Sequence, residues 1–331
     1  MVTRKVQVTG GSTYTVSLPK DWAKLNDVSA GSVVKFHSDG EALLLSPNPG
    51  TTEIEGSMDV SGLEGEQLTR AVMTMYVSGF DRITLEAPRL DAAQSRIIRH
   101  AAQDLVGLEV TSKSADEIVL RDLLDLSELS VENSLTRMRL FSLAMVNDAM
   151  EAVLEGDDEL ARDVVDRDDE VDRLWFLISR VFRTILRNPV ASTEVGLPRE
   201  TCFDYQTGAR QLERIADHAT KIADRATEID ELDQDLATEL TDIHEMSVEV
   251  PDVAIDALLE SDPADAHRLA NDARSTVASV DERAREISEA VHDHDSQNAQ
   301  AIGLVVDSIG RTADYGGNIA EAALQKAAPR P

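Results

Sequence analysis

The chain has 331 residues, with 62 acidic against 32 basic side chains and a formal net charge of −30. Its length suggests about two domains, and its single cysteine, Cys202, excludes an intrachain disulfide and a cysteine-based zinc site. Hydrophobic residues make up 42% but aromatics only 4%, so the cores must be aliphatic, and the acidic excess suits a cytoplasmic protein of a high-salt organism.

Residues 1–50 form the first predicted unit. Two short strands, Lys5–Thr9 and Tyr14–Leu18, flank a Gly10-Gly11-Ser12 turn. Pro19 opens a helical turn over Lys20–Asn26, because its fixed φ suits a first turn. A second hairpin, Ser32–His37 and Glu41–Ser46, turns on Asp39-Gly40. Five basic residues (Arg4, Lys5, Lys20, Lys24, Lys35) face four acidic ones (Asp21, Asp27, Asp39, Glu41), a balance of +1 that leaves −31 for the rest. A near-neutral end that keeps its lysines in so acidic a chain is suited to a polyanion. The plainer reading is a small β module with few surface positions to acidify. A core this small needs support from a second copy or from the rest of the chain.

Arg4-Lys5-Val6, Val16-Ser17-Leu18-Pro19-Lys20-Asp21-Trp22, Gly31-Ser32-Val33-Val34 and Asp39-Gly40 with Leu43-Leu44-Leu45 resemble the AbrB/SpoVT swapped-hairpin DNA-binding family. The resemblance implies an obligate homodimer, with Arg4, Lys5, Lys20 and Lys24 as DNA-binding residues. The family often carries an arginine in the first hairpin turn, where this chain has Ser12 and Thr13. With few charges in molar salt, counterion release contributes little affinity, so a module that only dimerises is the alternative.

Residues 51–126 read β-α-β-α-β-β: strands near Thr52–Ser57, Arg82–Glu86, Glu109–Ser112 and Glu117–Leu120, with helices over Leu63–Ser78 and Asp91–Leu105. That order predicts a small α/β unit with helices on one face. It has no glycine-rich phosphate loop, so a coupling role is expected, with His100 on the surface.

From about Leu129 the pattern is all-α. Val131, Leu135, Met138, Ser142, Met145, Ala149 and Val153 recur at three- and four-residue steps up to Gly156. Five more helices follow, over Asp157–Leu186, Glu200–Glu228, Gln234–Glu260, Pro263–Val291 and Asp295–Lys326, with a break at Asn188-Pro189. Arg214-Ile215-Ala216-Asp217 and Ile222-Ala223 match Arg311-Thr312-Ala313-Asp314 and Ile319-Ala320 at a spacing of 97 residues. A repeat of that length predicts two tandem three-helix bundles, at 127–230 and 231–328. The fold class is therefore multidomain: a β module, an α/β unit and an all-α body.

Arg210-Gln211-Leu212-Glu213-Arg214-Ile215-Ala216-Asp217-His218, Asp314-Tyr315-Gly316-Gly317-Asn318-Ile319-Ala320-Glu321 and Asp168-Asp169-Glu170-Val171-Asp172 resemble signature helices of the PhoU family, over roughly 129–326. The resemblance implies two PhoU-like bundles, negative regulation of phosphate uptake and its signalling, and divalent or iron-type metal binding by acidic clusters in some members. A swapped-hairpin module ahead of a PhoU-like body is similar to archaeal phosphate-uptake regulators of the haloarchaeal type.

On physical grounds Glu213 and Asp217, four apart, share a helical face. Helical counting turns that face well away from the apolar stripe, outward to solvent. Asp168 and Asp172 have the same spacing on the preceding helix, nearer its stripe. Together the four are candidate metal ligands with oxygen donors, or a solvated acidic face paired with Arg210, Arg214 and Lys221. In the second repeat Gly310 replaces Glu213, and Ser275–Val277 fall where the Asp169–Asp172 cluster would align, leaving Asp314 as the weaker candidate. His292-Asp293-His294-Asp295 fits a ligand cluster or a capped, solvated turn. Catalytic residues are not evident: no Ser/His/Asp order or zincin motif is present, and Cys202 has no activating neighbour in sequence.

These readings converge on a dimeric cytoplasmic regulator, with DNA and a phosphate transporter or its signalling proteins as partners and no membrane insertion. An adaptor docking on a transporter ATPase or sensor kinase is the rival, and a metal store or two-metal hydrolase the third.

Overall fold

In a computed structural model of the chain, residues 3–39, 42–47, 53–229, 232–293 and 298–329 are described. The chain divides into two compact units, Met1–Glu53 and Ile54–Pro331.

The first unit consists of two hairpins and one helical turn. Strands β1 (Gln7–Thr9) and β2 (Thr13–Thr15) pair antiparallel around Gly10 and Gly11, whose φ values of 66° and 84° the turn requires. Helix α1 (Lys20–Leu25) follows Pro19. Strands β3 (Lys35–Asp39) and β4 (Ala42–Ser46) form a separate antiparallel pair, with Gly40 and Glu41 of its turn outside the described residues. None of the described residues of this unit is buried. Tyr14 is 77% exposed and Leu25 84%. Val6, Val8, Val16, Val33, Phe36 and Leu43 are each more than half exposed.

The second unit opens with the expected α/β order. Strands β5 (Glu55–Asp59), β6 (Arg82–Glu86), β7 (Leu108–Lys113) and β8 (Glu117–Asp122) form one sheet in the order β5-β6-β8-β7. The β5-β6 pair is parallel and the other two are antiparallel. Helices α2 (Gly65–Val77) and α3 (Ala92–Gln103) bury Leu68, Val72, Tyr76 and Ile98 against Ile83, Leu85, Ile118 and Leu120 of the sheet. A capping box starts α3: Asp91 accepts from the Gln94 amide, and the Gln94 side chain accepts from the Asp91 amide.

Seven helices follow: α4 (Val131–Glu155), α5 (Asp158–Arg187), the short α6 (Pro189–Val195), α7 (Arg199–Ala226), α8 (Gln234–Leu259), α9 (Pro263–Asp293) and α10 (Ala299–Ala327). Local chemistry sets their ends. Gly156, at φ 67°, closes α4, and the Asp157 carboxylate immediately caps α5 by accepting from the amides of Glu159 and Leu160. Pro189 ends α5 as expected, but its fixed φ also starts α6, which periodicity over so short a run does not reveal.

Helices α4, α5 and α7 pack together, as do α8, α9 and α10, and the two triplets join through α7 against α10 and α4 against α8. One continuous aliphatic core results, from Val131 to Ala323. The 97-residue spacing acquires a geometric meaning here. His244 Nε2 lies 2.9 Å from Asn147 Oδ1, and these residues are 97 apart. His218 and Tyr315, at the same separation, pack with ring centroids 5.6 Å apart. A residue touches its own repeat counterpart only at the axis relating the two copies. The repeats are thus related by a pseudo-two-fold between α4/α8 and α7/α10.

Within the second triplet, close approach of α10 to α8 is set by a small residue. A Cβ on Gly316 would meet Pro251 N at 2.6 Å and Val250 Cγ1 at 2.8 Å. Pro251 lies inside α8 and is buried.

Arg180 ties the α/β unit to the helices. Only 3% exposed on α5, it donates through Nη1 to the Tyr76 carbonyl at 2.7 Å and through Nε to Asp122 Oδ2 at 3.0 Å. Its guanidinium carbon also stacks 4.9 Å from the Tyr76 ring centroid. Arg187 adds a hydrogen bond to the Ser78 carbonyl. Among the described residues no helix is long and apolar enough to cross a membrane.

Candidate functional site

At the N-terminal end, Arg4 and Lys5 precede β1, while Lys20 and Lys24 lie on α1. All four are exposed. Arg4 donates to the neighbouring Thr3 carbonyl at 3.0 Å, and among the described residues none of the four is held in an ion pair. In a chain of net charge −30, four cations without carboxylate partners are available to an external anion. Ser12 and Thr13 at the first turn are also exposed and bring no charge.

The acidic residues of the first repeat meet at the seam between α5 and α7. Asp168 and Asp172 come from α5, Glu213 and Asp217 from α7. Burial pushes Asp172 up to about 7, with Asp168, Glu213 and Asp217 adding repulsion. Burial raises Asp168 to about 6, with repulsion from Asp217 and then Asp169 adding to it. Glu213 is also raised, chiefly by burial and against the pull of Arg210.

The outward orientation expected for Glu213 and Asp217 is incorrect. Glu213 is 9% exposed; its Oε1 accepts from Arg210 Nη1 at 2.6 Å, and its Oε2 is buried with no partner. Asp217 is half-buried. Helical counting failed because α7 is central: α4, α5 and α10 all pack on it, so its polar face is covered too. Arg210 meanwhile stacks 5.2 Å from the Trp175 ring centroid, and Arg214 lies 5.6 Å from that of Tyr315. Lys221 Nζ stands 3.4 Å from His218 Nε2 rather than at a carboxylate.

Hard oxygen donors and an orphaned buried carboxylate oxygen suit a divalent or iron-type cation. The geometry is less complete. Among the described residues no three His, Cys, Asp or Glu side chains are grouped to hold a metal ion. At neutral pH Asp172, raised to about 7, can instead relieve the repulsion by keeping a proton.

In the second repeat Asp314 pairs with Arg311 Nη1 at 3.2 Å, its carboxyl raised by burial and by Asp281. The acidic counterpart on α9 is therefore Asp281, not the Ser275–Val277 position that alignment pointed to. Asp281, Asp307, Gly310 and Asp314 line a depression of about 280 Å³ between α9 and α10.

His100 is exposed on α3, 2.7 Å from Asp104, as expected of a surface residue. Cys202 is buried, and burial pushes its thiol up to about 12, far from a nucleophile's range. The side chains of the run 292–295 lie outside the described residues. Sequence reasoning missed His218 and His244 on the pseudo-two-fold, although the 97-residue offset pairs each with its partner. Burial lowers both imidazoles to about 4.

Residues 135–226 match the PhoU domain. Residues 7–52 match the family described as antidote-toxin recognition MazE, bacterial antitoxin. The fold is similar to that of PhoU from Pseudomonas aeruginosa, at 23% identity and a TM-score of 0.52, over 59% of this chain and 93% of that one. The phosphate transport system regulatory protein PhoU from Streptococcus pneumoniae matches at 20% identity and a TM-score of 0.48, over 59% and 91%. No curated protein matches the chain.

Proposed function

We propose that this chain, which joins a PhoU domain to a MazE/AbrB-like N-terminal module, is a cytoplasmic homodimeric regulator of phosphate uptake that acts on DNA. One observation carries the reading: the module that precedes the PhoU domain presents four exposed cations without ion pairs together with a surplus of exposed apolar side chains. A unit with no buried residue among those described gains a core from a second copy. Dimerisation would double the basic residues available to phosphate groups. The PhoU-like body then relays phosphate status through protein contacts with a transporter or its signalling proteins, without catalysis.

The acidic α5/α7 seam would serve as a cation site in this body. Asp168, Asp172, Glu213 and Asp217 are the residues to hold a divalent or iron-type ion, which would neutralise their repulsion. The uncharged Ser12/Thr13 turn favours a second reading, an adaptor in which the module only joins protomers.

Chromatin immunoprecipitation from phosphate-replete and starved cells, with Lys20→Ala/Lys24→Ala against the parent chain, separates the two. The expected result is loss of enrichment at phosphate-transport promoters in a variant that still dimerises by light scattering. Unchanged occupancy would remove DNA binding by this face and leave the adaptor.

A further inference from the structure

The C-terminal half of α5 departs from the rest of the chain. Between positions 173 and 187 it carries Arg173, Arg180, Arg183 and Arg187 and no acidic residue, in a protein of net charge −30. Aromatics are equally concentrated there: Trp175, Phe176 and Phe182 lie on this half-helix, in a chain with 4% aromatic content.

Of these residues, Trp175, Phe176, Phe182 and Arg183 line a groove of about 310 Å³ between α2, α5 and α7. Its walls include Val77 of α2, Trp175, Phe176 and Phe182 of α5, and Gln206 of α7. Ser179 lies among the lining residues, 5% exposed, with its Oγ buried and unpartnered. Apolar surface continues past the rim. Leu186 forms part of that rim at 55% exposure, and beyond it Phe203, 50% exposed, packs its ring 5.8 Å from that of Phe182. Arg183 lines the groove, exposed and without an ion pair among the described residues. An Arg left unpaired amid so many carboxylates marks a place where the chain's own acids do not reach.

We infer that this groove docks an acidic segment of a partner protein, which buries a bulky apolar side chain against Trp175 and Phe182 while its carboxylates face Arg183. Three features choose this occupant. The apolar area extends beyond the cavity onto Phe203, so the ligand is longer than a small molecule enclosed by it. The local charge is positive inside an acidic protein, which selects negative flanks and repels basic ones. The aromatic walls supply anchors of the kind that dominate binding energy, with Arg at the edge. The inference is independent of promoter binding, since it does not involve the N-terminal module.

The test is selection of a random peptide library displayed on its own mRNA against the full-length chain, followed by fluorescence anisotropy of the enriched peptides. Arg183→Glu and Phe203→Ser alter exposed positions and spare the core. In a Trp22→Phe background Trp175 is the sole tryptophan, so its emission reports on the groove. The expected peptides carry Asp or Glu around Leu, Phe or Trp, shift Trp175 emission on binding, and lose about tenfold or more in affinity with either variant. Enrichment of basic or uncharged peptides, or equal binding to parent and both variants, would overturn the inference. So would self-association of the parent abolished by Phe203→Ser, which assigns the face to a second copy. A Trp175 response to octanoate as strong as that to the best peptide would assign it to a small amphipathic anion instead.

Discussion

Replacing Arg180 by methionine removes the charge that holds the α/β unit to the helical body. The side chain is 3% exposed, and Asp122, its main partner, is also largely buried, with a side chain 9% exposed. Burial raises the Asp122 carboxyl despite the adjacent guanidinium, so desolvation already outweighs attraction there. Arg180→Met leaves a buried carboxylate and the Tyr76 carbonyl without their donor, and loses the stacking on Tyr76. Breaking a buried pair in this way costs about 3–5 kcal/mol. Asp122→Leu should cost less, about 2–3 kcal/mol, because Asp81 remains 3.5 Å from the guanidinium. The double variant, with both charges replaced by apolar groups, should return to within about 1–2 kcal/mol of the parent chain. Two further signatures distinguish a buried pair from a surface one. The loss should persist in molar KCl, which screens exposed charges far more than buried ones. It should also shrink as pH falls through the raised Asp122 pKa, because a protonated carboxyl no longer needs a counter-ion. Denaturant unfolding of all four chains at two salt concentrations and at pH 5 and 8 supplies the cycle. Losses below about 1 kcal/mol for Arg180→Met, or additive losses in the double variant, would refute the reasoning.

Two more outcomes follow from the seams of the helical body. Burial and neighbouring carboxylates raise Asp172 from its ordinary 3.8 to about 7 in the folded chain, so its contribution is most favourable at low pH and is lost as pH rises from about 4 to 7. Asp172→Asn should therefore stabilise the chain by about 1–2 kcal/mol at pH 8, since solvent screens part of the repulsion, and have little effect at pH 4. Added Mn²⁺ should raise the melting temperature of the parent more than that of this variant; equal shifts would dismiss the seam as a cation site. Gly316→Ala should destabilise by about 1–3 kcal/mol, because the new methyl meets the Pro251 backbone rather than a movable side chain. Gly208→Ala is the control: it meets the flexible Leu258 Cδ2 and should cost less in thermal melts.

Much of the fold was legible because it depends on local chemistry and periodicity. Gly156 followed by Asp157 fixes where α4 ends and α5 begins, and the three- and four-residue apolar steps of α4 all prove buried. The four carboxylates at the α5/α7 seam were legible from family-like segments and four-residue spacing, which are properties of one helix at a time. Their burial was not, because the number of helices packing around α7 is a tertiary fact. The groove beneath Arg183 was missed for a similar reason: its walls come from α2, α5 and α7, far apart in sequence.

The sequence by itself determined the order of elements, the near-neutral basic end, the 97-residue repeat and the identity of the acidic cluster. Each of these is written in neighbouring residues or in a fixed spacing along the chain. Only the tertiary structure decided that the two repeats share one core about a pseudo-two-fold, that Glu213 is buried with an unpartnered oxygen, and that Arg180 rather than a linker joins the α/β unit to the helices. Burial and charge pairing depend on which surfaces meet across long separations in sequence, and helical periodicity carries no record of how many neighbours a helix will have.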